Sequence, residues 1–538
     1  MANPQKTITQ KYSVKNAIVN YYLLLMFILF PLVPLIYFHG YDSIRTDKYI
    51  TFLFLSMMLA IVEFFMILSE SNTKNSADNM TVKKWYQTFS FTDWAMIALL
   101  IVNCISTVLS DYPSDALFGT QGRNNGLLLM LAYAAIYFVI TRQYKFYEYV
   151  FGGLAIGAGL VFLLAVINYF YIDPFGMFVG YNEQVIMDFT STIGNKNLMA
   201  SFVCVCLPVI MMLFMNTANK TLRWIYYISM VIGFSALLVA DSDSGFLGFF
   251  TLLIVLLIYY IRKPKKLFLY FFSVFSMLAG AKILRLISLI MQDHTKEMTE
   301  IPSLFVYENG FSYILIIFTL LLSVLFYFIA KRNPELIFPK VVFITALGIA
   351  VLATAIVIYL IIKYTFIDTT SNLNQVMSYF RFTDRWGTHR GYMWRKSVEI
   401  FANYNFKDML FGCGPDTYFS VFTPYFSELF NLYGDQSTNC AHNEYLNYLV
   451  TIGILGLAAY LSVIIGIITR AVKAAKVNPL AMICCAGIIC YAVQAIVNIA
   501  QPITTPIFIL LICIGEAVCR QVKNDNKNTF VKQPNLSV

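Results

Sequence analysis

The chain has 538 residues, 59% of them hydrophobic and 12% charged, with a net charge of +9 and a mean hydropathy of +0.68. Soluble domains carry about 25% charged residues, so the composition excludes a soluble globular chain and indicates a polytopic membrane protein. The positive charge is not a nucleic-acid signal, because its distribution follows topology.

Fourteen apolar runs approach the roughly 20 residues needed to span a hydrocarbon core. They lie near 17–40, 49–68, 93–110, 125–141, 148–172, 197–216, 222–240, 245–261, 267–290, 311–330, 341–363, 444–468, 478–498 and 503–519. The runs at 93–110 and 503–519 are short, which sets the expected count at twelve to fourteen. The first run follows Lys6, Lys11 and Lys15, exceeds a signal-peptide core and precedes no small-residue cleavage site. It reads as a retained span. With the N-terminus placed in the cytoplasm, the inner segments hold Lys74, Lys83, Lys84, Arg142, Lys220, Arg223, Arg262, Lys331, Arg470, Lys473, Arg520 and Lys523. Short inner loops are basic, as the positive-inside rule requires. The expected organisation is transmembrane helices over 1–363, an extracytoplasmic catalytic loop over 364–443, helices over 444–519 and a cytoplasmic tail over 520–538. Both termini are then cytoplasmic and the membrane is a plasma membrane.

The outer face then receives 41–48, 111–124, 173–196, 241–244, 291–310, 364–443 and 499–502. Three polar motifs stand at outer helix mouths: Gly122-Arg123-Asn124-Asn125-Gly126, Gly194-Asn195-Lys196-Asn197 and Asp241-Ser242-Asp243-Ser244-Gly245. They are placed to converge beneath the long loop. Arg123 and Lys196 suit an anionic headgroup or a diphosphate. Plainer roles compete: Asn195 is a good N-cap, Asp241 to Ser244 reads as a tight polar turn, and Arg123 as an orienting charge. Lys282 and Arg285, three apart in the outer half of the ninth run, either bind substrate or snorkel outward.

The loop 364–443 is exceptional in length. It is rich in Trp, Tyr and Phe, which argues against a disordered linker. Thr388 to Asn403 has helical spacing, with Arg390, Met393, Trp394 and Ser397 on one face; an amphipathic helix at the membrane surface is expected. Phe411-Gly412-Cys413-Gly414-Pro415 reads as a turn, Asp416 to Phe430 as a second short helix, and Asn443 as the start of the next span. Arg381, Arg385, Arg390, Arg395, Lys396 and Lys407 stand outside, against the charge rule, and anion binding supplies a reason. His442 re-enters the membrane beside Asn443 and Glu444, which can orient an imidazole and tune it as a base. The plainer reading is a polar residue at a helix start. Of ten cysteines, eight fall in spans; only Cys413 and Cys440 lie in the loop, where a disulfide is permitted. There is no metal-ligand spacing and no nucleotide fingerprint, so no metal and no cofactor is expected.

Arg390-x-x-x-Trp394, Phe411-Gly412-x-Gly414, and His442-Asn443-x-Tyr445-Leu446 ending in Gly453-x-x-Gly456 resemble the C-terminal signature of the O-antigen ligase/polymerase superfamily. Arg123-x-x-Gly126 and Gly194-Asn195-x-Asn197 resemble its N-terminal half, so the resemblance runs over roughly 93–470. It implies an all-α, GT-C-like membrane glycosyltransferase. Such an enzyme takes a glycan from an undecaprenyl-diphosphate donor on the outer face, to a glycan or lipid acceptor, without metal. Arg390 matches the arginine that holds the donor diphosphate, and His442 the general base. Asp243-Ser244-Gly245 departs from the Ser-Arg-Gly common in the family, leaving Lys282, Arg285 or Arg385 as replacements for the missing arginine.

The residue types suit that chemistry. A glycosyl diphosphate needs charge neutralisation at its leaving group, which arginine provides, and a base for the attacking hydroxyl. Direct displacement would invert the anomeric centre. The rival reading is a fourteen-span transporter or lipid-linked oligosaccharide flippase. That rival should show midplane ionisable residues and two related halves; only Glu63 and Asn103 offer themselves. Within the family, a polymerase or glycan ligase is favoured over a protein oligosaccharyltransferase.

Overall fold

A computed structural model describes residues 14–73, 88–120, 122–292, 294–307, 309–373, 375–434 and 438–531. Lys6, Lys11, Lys74, Lys83 and Lys84 of the charge map lie outside the described residues, as does the tail beyond 531.

Apolar helices account for nearly all of the regular structure. In chain order these are α1 (Val14–Leu29), α2 (Ile44–Thr73), α3 (Phe91–Val108), α4 (Leu127–Gln143), α5 (Glu148–Tyr169) and α6 (Lys196–Asn216). There follow α7 (Lys220–Val239), α8 (Asp243–Tyr260), α9 (Pro264–Ile290), α10 (Asn309–Arg332) and α11 (Lys340–Ile362). The long loop contributes α12 (Trp386–Ala402), α13 (Phe406–Phe411), α14 (Tyr418–Phe422) and α15 (Phe426–Tyr433). The chain closes with α16 (Glu444–Ala474), α17 (Pro479–Gln494) and α18 (Thr505–Val531). The strand content among the described residues is one antiparallel pair, Phe189–Thr190 with Gly194–Asn195.

Among the described residues, 12 helices are long and apolar enough to cross a membrane. The two expected to be doubtful, at 93–110 and 503–519, are both among them. The two that fall short are α1 and α4. In α1 the expected run 17–40 breaks early: a π-turn over Leu25–Leu29 ends the helix, and Pro31 and Pro34 forbid its continuation. Helix α4 starts only after the glycine-rich turn at 119–126.

Helix α6 is buried along its whole apolar window, whereas the corresponding window of α11 has no buried residue. The first is the axis of the bundle and the second its rim. Helix α10 packs on α9, and α3 packs on α16.

The two ends of the bundle are each tied by polar contacts. At one end Asp93 is buried and accepts hydrogen bonds from Tyr137 Oη at 2.9 Å and Arg142 Nη1 at 3.2 Å, and pairs with Arg520. At the other, the long loop joins the segment before α4 through Asp416 and the start of α8 through Tyr379.

Within the loop, regular helix begins at Arg390, because Gly387, Thr388 and His389 all have positive φ. Met393 and Ser397 of the expected face are buried. They pack on the loop's own helices: Ser397 Oγ lies 2.8 Å from Tyr418 Oη, and Tyr392, Met393, Ile400, Tyr418, Phe422 and Leu429 form one core. The face expected at a membrane surface is thus covered from within. The expected helix over Asp416 to Phe430 is divided at the 3-10 turn Thr423–Tyr425, which contains Pro424.

The turn at Phe411 to Gly414 docks on a kink in α16. Gly453 has φ 68° and ψ −174° inside that helix, a region open essentially to glycine. A Cβ on Gly453 would overlap the backbone of Leu410, and a Cβ on Gly412 the backbone of Thr451. Gly414 N donates to Thr451 O at 2.9 Å, closing the contact. Two glycines let a loop and a membrane helix touch backbone to backbone. Gly453→Ala is expected to cost about 1–3 kcal/mol in backbone strain alone, read as a lower thermal midpoint of the purified protein. Gly310→Ala, whose Cβ meets nothing within 4 Å, should leave the midpoint unchanged. Equal midpoints in both variants would contradict the docking role.

Candidate active site beneath the long loop

The site is assembled around a buried carboxylate. Asp416 follows the Gly414-Pro415 turn with φ 60° and is 4% exposed. Its Oδ1 accepts from Arg123 Nε at 3.0 Å, and its Oδ2 from the backbone N–H groups of Thr120 and Asn125, each at 3.0 Å. Burial pushes this carboxyl up; Arg123 and the two backbone donors pull it back. Arg123 is itself 1% exposed. Its Nη2 donates to Ala500 O at 3.3 Å, while Nη1 is buried without a hydrogen-bond partner.

Next to this pair stands Cys440, fully buried. Arg45, Arg123, Arg390 and His442 all lie within electrostatic range of it. Burial alone would push the Cys440 thiol up; His442 and Arg123 outweigh it and bring the thiol down to about 6. Cys413 and Cys440 are separate thiols, and the permitted disulfide is not formed. Cys413 Sγ instead donates to Tyr404 Oη at 3.1 Å.

His442 has φ 49°, a strained conformation of the kind found at functional sites. It lines a cavity of about 580 Å³ with Asp115, Thr120, Ser420, Thr438 and Asn439. Asn443 caps α16, accepting from the N–H groups of Tyr445 and Leu446 at 3.0 Å. Glu444 turns inward, accepting from Tyr491 Oη at 3.0 Å and from Tyr460 Oη. The cap is therefore Asn443, and His442 is free of that task.

Arg390 is half-buried and, among the described residues, makes no hydrogen bond or ion pair. Burial lowers its guanidinium, with Cys440 and Asp243 acting against that. Asp243, at the start of α8, accepts from Tyr379 Oη at 2.9 Å. Ser244, in the place of the family arginine, is buried and accepts from Gln494 Nε2 at 3.1 Å.

The other expected contacts are dispersed. Lys196 pairs with Asp188 at 3.1 Å and lines a second cavity of about 260 Å³ with Asp241 and Lys296. Lys282 Nζ donates to Val306 O at 3.0 Å, and Arg285 donates to Tyr307 O. Both serve the end of the short helix Glu300–Val306. Arg385 is exposed at the start of α12. Trp394 packs at a tilt against Phe382 and Trp386, centroids 5.6 and 5.3 Å away, its indole N–H buried without a partner.

Three members of the site went unread in the sequence. In the expected topology Arg45 falls outside against the charge rule, as the loop arginines do, and the same argument would have flagged it. Asp416 and Asp115 carry no local signal, because their partners lie hundreds of residues away.

With this geometry described, residues 304–461 match the O-antigen ligase family model. The chain carries an O-antigen ligase domain. The match takes in Arg390, Gly412, Asp416, His442 and Gly453, while Arg123, Lys196, Lys282 and Arg285 precede it. No curated protein matches the chain. The domain and the apolar helices make this a multi-pass membrane protein of cell-envelope glycan assembly, of the ligase or polymerase type.

Removing one partner of a buried ion pair leaves an uncompensated charge, at a cost of about 3–5 kcal/mol. Asp416→Ala should therefore destabilise the protein by about that much in thermal unfolding. Asp384→Ala, which breaks the exposed Asp384–Arg395 pair at 2.7 Å, should cost no more than about 1 kcal/mol. Similar losses in the two variants would remove the Arg123–Asp416 pair from its structural role.

Proposed function

We propose that the protein transfers a glycan from an undecaprenyl-diphosphate donor to an acceptor hydroxyl at the outer face of a bacterial plasma membrane. The product is a polysaccharide, made by polymerisation or ligation. The observation that carries this is a polar cavity lined by His442, with Arg390, Arg123 and Arg45 grouped about the adjoining Cys440.

Arg390 is the group for the donor diphosphate. It is a planar, always-charged fork that makes no hydrogen bond or ion pair among the described residues, so its donors are available to two phosphate oxygens at once. Charge grows on the leaving diphosphate as the anomeric C–O bond breaks, and a positioned guanidinium stabilises that growth. The buried Nη1 of Arg123, without a hydrogen-bond partner, is a second donor. His442 takes the proton from the acceptor hydroxyl as its oxygen attacks the anomeric carbon from the opposite side, which inverts the centre. Asp115 lines the same cavity and accepts from Ser420 Oγ at 3.1 Å; it is placed to bind sugar hydroxyls.

Arg390→Ala should abolish transfer at near-normal expression. Arg390→Lys should also be poor, since a point charge does not reproduce a two-pronged contact. Wild-type turnover in Arg390→Ala would exclude the diphosphate role, and in Arg390→Lys would reduce it to charge steering.

His442→Ala should lower turnover by about 10²–10⁴-fold, the range of acid–base catalysis, with donor affinity little changed. Asp115→Asn should lower it far less. Transfer per folded molecule and donor binding, measured separately, decide this. Undiminished turnover in His442→Ala, or a larger loss in Asp115→Asn, would move the base away from His442.

A further inference from the structure

The second polar cavity, of about 260 Å³, lies at the loop end of the bundle and takes no part in the reaction as described so far. It opens between the start of α6, the end of α7 and the segments 187–190 and 296–299. Its wall is pinned against a stability cost. Lys296 is 8% exposed, and its Nζ donates to Ile186 O at 2.6 Å and to Phe189 O at 2.7 Å. Its backbone N–H donates to Tyr169 O at 2.9 Å. A buried ammonium held by carbonyls is expensive to desolvate. Asp241 on the wall and Ser191 beside it have φ of 48° and 57°, strain of the kind that gathers at functional sites.

The groups facing the cavity are nearly balanced in charge: Lys196 and Lys296 against Asp188, Asp241 and Glu297. Asp241 accepts from Thr299 N at 2.9 Å and Thr299 Oγ1 at 2.6 Å, both through Oδ1. Its Oδ2 makes no hydrogen bond among the described residues. Lys196 Nζ pairs with Asp188 at 3.1 Å, and an ammonium carries three donors. A free acceptor and spare donors thus line one space, beside the flexible thioethers of Met187 and Met298. Hydroxyls both donate and accept, so this lining suits a polyol with an apolar face, which is a sugar ring. Three carboxylates disfavour a diphosphate here, in contrast to the arginine cluster. The cavity is smaller than the roughly 300–1,000 Å³ of pockets for drug-sized ligands, which fits a single ring.

Two contacts tie it to the reacting site. Ser242 Oγ, next to Asp241, donates to Asn197 Oδ1, next to Lys196, at 2.7 Å. Asp243 accepts from Tyr379 of the long loop and lies in electrostatic range of Arg390. The cavity therefore adjoins the group assigned to the donor, whereas His442 and the acceptor hydroxyl belong to the cavity of about 580 Å³. We propose that the cavity between Lys196 and Asp241 is a saccharide subsite, holding a neutral ring of the donor glycan beyond the one whose anomeric bond breaks. This rests on the reading that the donor is a lipid-linked glycan. Lys196 donates to a ring hydroxyl and Asp241 Oδ2 accepts from one, so the glycan is gripped at a distance from its diphosphate.

Two single variants test this, Lys196→Met and Asp241→Asn. The Lys196 pair is exposed and contributes little to stability, and asparagine tolerates a positive φ, so both should keep the wild-type thermal midpoint. Transfer is measured in nanodiscs with the lipid-linked glycan isolated from the cells, and with the same lipid trimmed by exoglycosidases to its first sugar. With the full glycan kcat/KM should fall on the order of tenfold in each variant, mainly through KM, as for a lost hydrogen bond to a charged group. With the trimmed donor each variant should match the wild type. Equal losses with both donors, or no loss with either, would overturn the proposal while leaving the transfer reaction intact. A loss that followed the length of the acceptor glycan would assign the cavity to the acceptor, also against the proposal. Wild-type protein that transfers from neither donor would instead remove the underlying reading, and the proposal with it.

Discussion

One buried ion pair carries the architecture at the loop end of the bundle. Arg123 leaves the turn before α4, Asp416 leaves the turn after α13, and they meet 3.0 Å apart with almost no exposure. Desolvating both charges is expensive, and their attraction offsets it only when the remaining hydrogen-bonding positions are filled. Here the backbone N–H groups of Thr120 and Asn125 fill those of Asp416. The pair is thus a registration device as much as a source of stability. It sets one position for the long loop over the helices, and the turns that donate to it cannot shift without exposing a charge. Arg123, expected to hold substrate, spends Nε and Nη2 on the protein and keeps Nη1 for the cluster.

Given that registration, the chemistry of the site follows from crowding positive charge into a dry space. Arg45, Arg123 and Arg390 lie in electrostatic range of Cys440, and Asp416 is paired with Arg123. Such a cluster favours an anion, and a low local dielectric strengthens the attraction. His442 is set at the edge, where the chain is strained and the cavity is polar. In the proposed function, Arg390 holds the anion and His442, 52 residues further along the chain, accepts the proton.

The sequence conveyed the helices and the loop more fully than the site. Apolar runs are a one-dimensional property, and each of the fourteen corresponds to a helix. The error lay at α1, where Pro31 and Pro34 follow an early helix end and cut the expected run 17–40 short; α4 is offset by two residues from the expected 125–141 but equally long. Arg390 and His442 were singled out because the expected topology disfavours outer basic residues and makes them conspicuous, and because their motif is ordered. Lys282 and Arg285 look equally conspicuous, yet they serve the carbonyls of Val306 and Tyr307. Charge alone does not tell a ligand contact from a helix cap. Asp416 was invisible because its meaning is Arg123, 293 residues away. The amphipathic face of α12 was read correctly as a face, but what covers it is the loop's own core, a tertiary fact that periodicity does not contain.

The central claim is that the glycan leaves its lipid diphosphate at this site. The most direct measurement uses purified protein in nanodiscs with a radiolabelled undecaprenyl-diphosphate glycan and an acceptor, without nucleotide sugar. The account predicts glycan on the acceptor and free undecaprenyl diphosphate in equal amounts, lost together in Arg390→Ala. A donor that is recovered intact, or moved across the membrane without cleavage, would contradict it.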